Sequence, residues 1–290
     1  MAHNVAEGSA PASAANLGPG YDCLAVALDL RCTVRATPSS TWEVIHEGPE
    51  SPSEGGGDLI RQAAIAAVGR TRPLRLVVEN HIPIGKGLGS SAAALAASAT
   101  AAWVALDGPP RSEDVFGLVV DLEGHADNAA ACVYGGLALV TAGGHRARLP
   151  WYEGWRLVVA VPETPLATQT ARLALPGQVP MAVTVRTLAR AMALAVGLST
   201  GDGALLAEAG GDELHERPRS PLAPRARLVI EAARGAGAAH ACWSGAGPSV
   251  LAVVDAGRVG AVSAAMASAL GAGRIITPAV AARGVSGVAS

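Results

Sequence analysis

The residues best suited to do chemistry lie together in the run Pro83, Ile84, Gly85, Lys86, Gly87, Leu88, Gly89, Ser90 and Ser91. Three glycines alternate, two serines follow, and an alanine-rich stretch covers residues 92–106. Residues 74–79, ahead of the loop, read as a strand. The order strand, glycine loop, helix suits an anion. Glycines let backbone N–H groups curl around it, and a serine-capped helix N-terminus adds partial positive charge. Phosphate is the natural occupant; the plainer reading is a tight turn closed by a serine cap. Two common phosphate loops do not fit. Lys86 comes too early for a P-loop, and the third glycine comes one residue too early for a dinucleotide fingerprint.

Other polar clusters stand apart in sequence. Asn16 and Asp22 flank the irregular Gly18-Pro19-Gly20 turn, where they would equally serve as turn formers. Glu123-Gly124-His125-Ala126-Asp127-Asn128 packs hydrogen-bonding groups between apolar segments; the plainer reading is an inter-helix turn capped by His125. Arg172 follows a Thr-Gln-Thr-Ala run, and Arg217 and Arg219 sit in the charged, proline-rich stretch 212–224, where arginines usually just solvate a face. A last loop, residues 244–249, holds Gly245 and Gly247.

The elements that must position these groups follow from periodicity and breakers. Residues 23–34 read as a strand with 42–45 as its partner, 51–57 as an exposed loop and 59–68 as a helix. Residues 112–122 form a helix capped by Ser112, with Glu113 and Asp114 in its first turn. Strands follow at 135–141 and 155–161, separated by a Gly, Pro and Trp cluster that marks a domain boundary, giving domains 1–150 and 151–290. The second half reads as an amphipathic helix at 183–197, a helix at 228–234, a strand-loop-strand at 239–254, a last helix at 259–270 and a frayed tail from 281.

Composition narrows the class. Half of the 290 residues are hydrophobic but only 3% are aromatic, so the core must be built from Ala, Val and Leu. A net charge of −2 without a basic patch gives no reason to expect nucleic acid or a membrane surface. Cys23, Cys32, Cys132 and Cys242 have no metal spacing and point to buried thiols in a reducing compartment. The first residues lack a basic-then-apolar leader, and the apolar run 92–106 falls short of the roughly 20 residues a bilayer needs. A soluble cytoplasmic protein is expected.

Three ordered motifs, PASAANLGPGYD, PIGKGLGSSAA and WSGAGPSV, together resemble those of the GHMP small-molecule kinases, which phosphorylate galactose, homoserine, mevalonate and phosphomevalonate. EGHADN with Gly135-Gly136, TQTAR and DELHERPR are similar to the homoserine-phosphorylating branch, over about residues 11–255. The resemblance implies an α+β, two-domain GHMP kinase fold with the active site in the cleft between domains. It implies an ATP- and Mg²⁺-dependent enzyme of threonine biosynthesis acting on the L-homoserine hydroxyl, and a possible homodimer. Residues 83–91 would wrap the ATP phosphates, supported by Gly245 and Gly247. Ser91 and Glu123 would hold Mg²⁺. Asn16, Asp22, His125 and Asn128 would line the substrate pocket, and Arg172 and Arg219 would grip its carboxylate. Many relatives have an aspartate base where Asn128 stands, so the resemblance implies transfer without a protein base, the hydroxyl proton passing to the phosphate. Another small hydroxy amino acid or hydroxy acid, or a non-catalytic binding relative, is the alternative. Residues before 11 suggest a truncated first strand, and the tail does not resemble the family's closing strand.

Overall fold

The computed structural model describes residues 5–52 and 58–289. Its first half runs β1 (Ala6–Ala15), β2 (Leu24–Pro38), β3 (Glu43–Glu47), α1 (Leu59–Val68), β4 (Leu74–Asn80), α2 (Ser90–Leu106), α3 (Ser112–Glu123), α4 (Asp127–Tyr134), β5 (Leu137–Val140) and β6 (Arg146–Leu149). The second half runs β7 (Trp155–Pro162), α5 (Thr168–Leu173), α6 (Met181–Thr200), α7 (Gly203–Glu208), α8 (Glu216–Arg219), α9 (Pro224–Gly235), β8 (His240–Trp243), β9 (Val250–Asp255), α10 (Val259–Leu270), β10 (Gly273–Ile276) and β11 (Ser286–Ala289). A seven-stranded sheet has the order β11-β1-β2-β4-β3, with β5 on β2 and β6 on β5. A four-stranded sheet has the order β10-β7-β9-β8.

The scarcity of large side chains sets the packing. α2 is apolar all round and buried from Ala92 through Ala102 except at Ala94, as expected of a helix inside a core. It lies so close to β1 that a Cβ on Gly8 would fall 2.1 Å from the Ala97 carbonyl oxygen. β1 is therefore a full ten-residue strand, not the truncated one its composition suggests. Small residues are what that contact requires, and Pro11 sits at a register shift where a missing N–H is tolerated.

Other expectations are corrected. β3 runs parallel to β4, Glu43 opposite Arg75, and does not pair with β2. The tail is not frayed: β11 pairs antiparallel with β1, Ala289 opposite Ala6, and returns the chain to the first sheet. Ser112 does not cap α3; Arg111 holds that place and pairs with Asp114 at 2.7 Å. Within the expected loop 51–57, residues 53–57 lie outside the described residues. α6 is longer than expected, and at 20 residues it is apolar and long enough to cross a membrane. Its Arg186 and Arg190 bind Glu213 at 2.8 and 3.0 Å, while Leu194, Gly197 and Leu198 are buried. These contacts tie it to the rest of the chain.

Candidate active site

Between the two sheets lies a cavity of about 480 Å³. The glycine-rich loop, residues 83–91, forms one wall. Gly85, Gly87 and Gly89 all take positive φ, at 70°, 73° and 64°, so the loop coils in a way L side chains resist. No serine caps the following helix: Gly89 is the N-cap, without a side-chain hydrogen bond, and Ser90 reaches back to the Ile82 carbonyl at 3.4 Å. The first-turn N–H groups of α2 are thus left for a ligand beside the cavity, where an anion fits best.

The other two motifs brace this loop. Ser244 Oγ donates to Gly87 O at 2.7 Å, and Gly245 N donates to Ala15 O at 2.9 Å. Ser13 N donates to Leu88 O, and Ser13 Oγ donates to Asn128 Oδ1 at 2.8 Å. The latter bond turns the Asn128 amide so that its NH₂ is the end left to donate. Asn16 donates from Nδ2 to Gly245 O at 2.8 Å and accepts the Asp22 amide at 3.0 Å, so it joins the first and third motifs. Lys86 Nζ donates to Glu163 O, which leads the ammonium away along the rim. Gly247 does not line the cavity. A Cβ there would strike the Trp243 ring at 2.3 Å, so this glycine serves packing.

Along the same cavity α3 ends at Glu123, and Gly124 turns the chain at φ 78°. His125 then lies between two carboxylates, 3.2 Å from Glu123 Oε2 and 3.3 Å from Asp127 Oδ1. The latter contact is close but not directed as a hydrogen bond. Asp127 chiefly, and Glu123 with it, hold the imidazole above its usual pKa against the effect of burial. His125 caps no helix. Asp127 is buried at the cavity wall and accepts the Asn128 amide at 2.8 Å.

At the far end Arg172 grips Asp22 through two bonds of 2.9 and 3.2 Å and donates to the Tyr21 hydroxyl at 3.0 Å. Both partners stay over a third exposed, 38% and 39% at the side chain. Arg219 is no surface charge: it is 2% exposed, bonded through Nε to Ala171 O and through Nη1 to His215 Nδ1. Tyr21 lies over both guanidinium groups and had no sequence signal beyond its place in the first motif. Apart from Gly247, every residue expected in the site lines this one cavity.

The chain matches the models for the GHMP kinases N terminal domain over residues 58–136 and GHMP kinases C terminal over residues 193–272. A homoserine kinase of Thermus thermophilus is 40% identical over 263 residues, covering 89% of this chain and 90% of that protein. One from Moorella thermoacetica is 38% identical over 273 residues, covering 89% and 90%. The crystal structure of homoserine kinase from Cytophaga hutchinsonii superposes with a TM-score of 0.87 at 25% identity, covering 99% and 98%. Fold and site thus define an ATP-dependent small-molecule kinase with a two-domain α+β architecture. The chain belongs to the homoserine kinase family of the GHMP kinases.

Proposed function

We propose that the protein transfers the ATP γ-phosphoryl group to the side-chain hydroxyl of L-homoserine, giving O-phospho-L-homoserine and ADP. The observation that carries the substrate class is the Asp22–Arg172 pair. It sets a carboxylate and a guanidinium side by side, the complement of an amino-acid zwitterion. Such a half-exposed pair contributes only about 0–1 kcal/mol, so a ligand can part it. The α-ammonium then meets Asp22, and the α-carboxylate meets Arg172 and the N–H donors that Arg219 has not spent. Residues 1–150 supply the nucleotide loop and residues 151–290 the two arginines.

Phosphoryl transfer needs alignment and charge stabilisation above all. The coiled loop and the α2 N-terminus would hold the phosphates. Ser91 and Glu123 are donors suited to Mg²⁺, which takes one or two protein oxygens together with phosphate and water. No group of three or more His, Cys, Asp or Glu among the described residues is arranged for a metal, and a phosphate-assisted site does not need one. When bound, the ion neutralises charge developing on the transferred group. Asn128 cannot take a proton, and Asp127 already faces an amide and His125. The hydroxyl proton therefore passes to an oxygen of the phosphoryl group as the new O–P bond forms and the bond to ADP breaks, and Asn128 orients the hydroxyl. The outward face of α6, with Met181, Val185, Leu188 and Met192 exposed at steps of four and three, supports a homodimer. A coupled ADP-release assay over homoserine, threonine, serine, mevalonate and galactose tests the reading. Selective turnover of homoserine supports it, and turnover of mevalonate or galactose without homoserine refutes it.

A further inference from the structure

Two buried histidines that the transfer step does not use lie beneath the loop bearing Asn16 and Asp22. His215 and His240 are both wholly buried. Their Nε2 atoms meet consecutive carbonyls of that loop: His240 lies 3.0 Å from Leu17 O, and His215 lies 2.7 Å from Gly18 O. The loop needs such support. Asn16, Leu17 and Asp22 all have positive φ, at 67°, 51° and 53°, which L residues hold only when their surroundings impose it.

The protonation of His215 follows from its partners. Arg219 has donors only, so His215 Nδ1, 3.0 Å from Arg219 Nη1, must accept. The proton therefore sits on Nε2 and is donated to Gly18 O. The ring is neutral, in line with burial lowering its pKa despite Asp212 at 3.8 Å. Arg219 is fixed at a second point by its Nε bond to Ala171 O, the carbonyl just before Arg172. The Tyr21 ring covers the junction, 5.2 Å from the His215 ring and 5.4 Å from Arg219 Cζ. One rigid, uncharged ring thus joins the loop that carries Asp22 to Arg219, which is itself tied to the backbone just before Arg172.

We propose that His215 is a positioning residue for the amino-acid substrate, fixing the Asp22 loop and Arg219 in one register, with His240 steadying the adjacent carbonyl. This rests on the homoserine reading of the site. Gln, which also offers one donor and one acceptor, can take over part of the role; Leu cannot. His215→Leu is expected to raise the homoserine KM at least tenfold, while the ATP KM stays within twofold and kcat changes less than KM. His215→Gln is expected to recover most of that loss. Trp155→Phe, which removes a buried bond to Gly197 O between two residues that do not line the cavity, is the control for general destabilisation and should leave both KM values unchanged. In ¹⁵N-histidine NMR of the unaltered protein, His215 should show the neutral Nε2–H pattern and shift with homoserine but not with ATP.

Failure separates two ways. No turnover of homoserine by the parent enzyme overturns the substrate reading and this proposal with it. With turnover established, a folded His215→Leu enzyme whose homoserine KM is unchanged, or whose two KM values rise together, overturns the role of His215 alone. Should His215→Leu not fold, the NMR decides: a charged or Nδ1–H ring, or one unmoved by saturating homoserine, refutes the proposal.

Discussion

Replacing Gly87 with alanine tests whether the three motifs form one braced unit. Gly87 has φ 73°, and a Cβ there would lie 2.2 Å from the Ser244 carbonyl oxygen and 2.7 Å from that of Gly247. Both obstacles are backbone, so no rotamer relieves them. Reaching the 3.4 Å of ordinary contact from 2.2 Å means moving one loop by about 1.2 Å. That shift breaks the bond from Ser244 Oγ to Gly87 O, worth about 1 kcal/mol. The left-handed backbone adds about 1–3 kcal/mol, so the stability cost is about 2–4 kcal/mol. A misplacement of about 1 Å at a positioning element can cost about 100-fold in rate. Gly108 is the matched control: its φ is 93°, yet a Cβ there meets nothing within 4 Å. Gly108→Ala carries the backbone strain without the collision. Melting curves and steady-state kinetics with ATP varied are the assay. Gly87→Ala should melt below Gly108→Ala and lose about 100-fold in kcat/KM for ATP, while Gly108→Ala keeps the parent kinetics. Equal ATP kinetics in the two variants would refute the idea that the third motif holds the phosphate loop in place.

Glu123→Gln should cut kcat by well over tenfold with the melting temperature little changed, because a metal-bound charge contributes several kcal/mol at the transition state; near-normal turnover at saturating Mg²⁺ would remove Glu123 as a ligand. Arg172→Ala should raise the homoserine KM about tenfold or more with the ATP KM unmoved, read by varying both substrates. Arg219→Ala should do the same and also lower the melting temperature, since a buried acceptor left unpaired costs about 1–3 kcal/mol; a variant with unchanged stability would contradict its burial. Glu216 is buried, and burial raises its carboxyl pKa to about 8 while its Oε1 accepts the Trp243 amide at 2.7 Å. The folded state thus holds a proton that the unfolded state, at the usual 4.5, releases. Its contribution is full below 4.5 and lost as pH rises through 8. Glu216→Gln keeps the acceptor, so melting curves of the two proteins should nearly coincide at about pH 5 and separate in favour of the variant by about pH 8.

What the sequence disclosed and what it hid divide along physical lines. The glycine loop between β4 and α2 was legible because its signal is local: alternating glycines, a strand before and an apolar helix after. β1 was not, because its small residues answer to α2, which lies some eighty residues on in the chain and whose Ala97 carbonyl lies where a side chain on Gly8 would stand. β11 was hidden for the same reason: its pairing with β1 joins opposite ends of the chain. The serine cap failed differently. Ser90 has the right type one position too late, since Gly89 in the left-handed region already occupies the cap. That failure is informative, because a capped α2 would have its first N–H groups satisfied and less to offer a phosphate.

The stretch 212–224 shows most clearly why charge pattern alone misleads. As a sequence it is a polar, proline-rich surface segment. In the fold Asp212 accepts the amides of His215 and Glu216, Glu216 accepts from Trp243, and His215 and Arg219 bond each other. Four of its charged or titratable residues are therefore buried, each with a partner. Burying so many polar groups would be prohibitive if any were left alone. It is tolerable here because each one fixes backbone or another side chain. The segment's position then explains its composition. It lies between the Asp22 loop, α5 with its Ala171 and Arg172, and the strand leading to the third motif, and only bonds of defined direction can hold three such parts in register beside the cavity. Apolar packing there would stabilise the fold as well, but it would leave the guanidinium groups free to drift from the substrate carboxylate that we propose they meet.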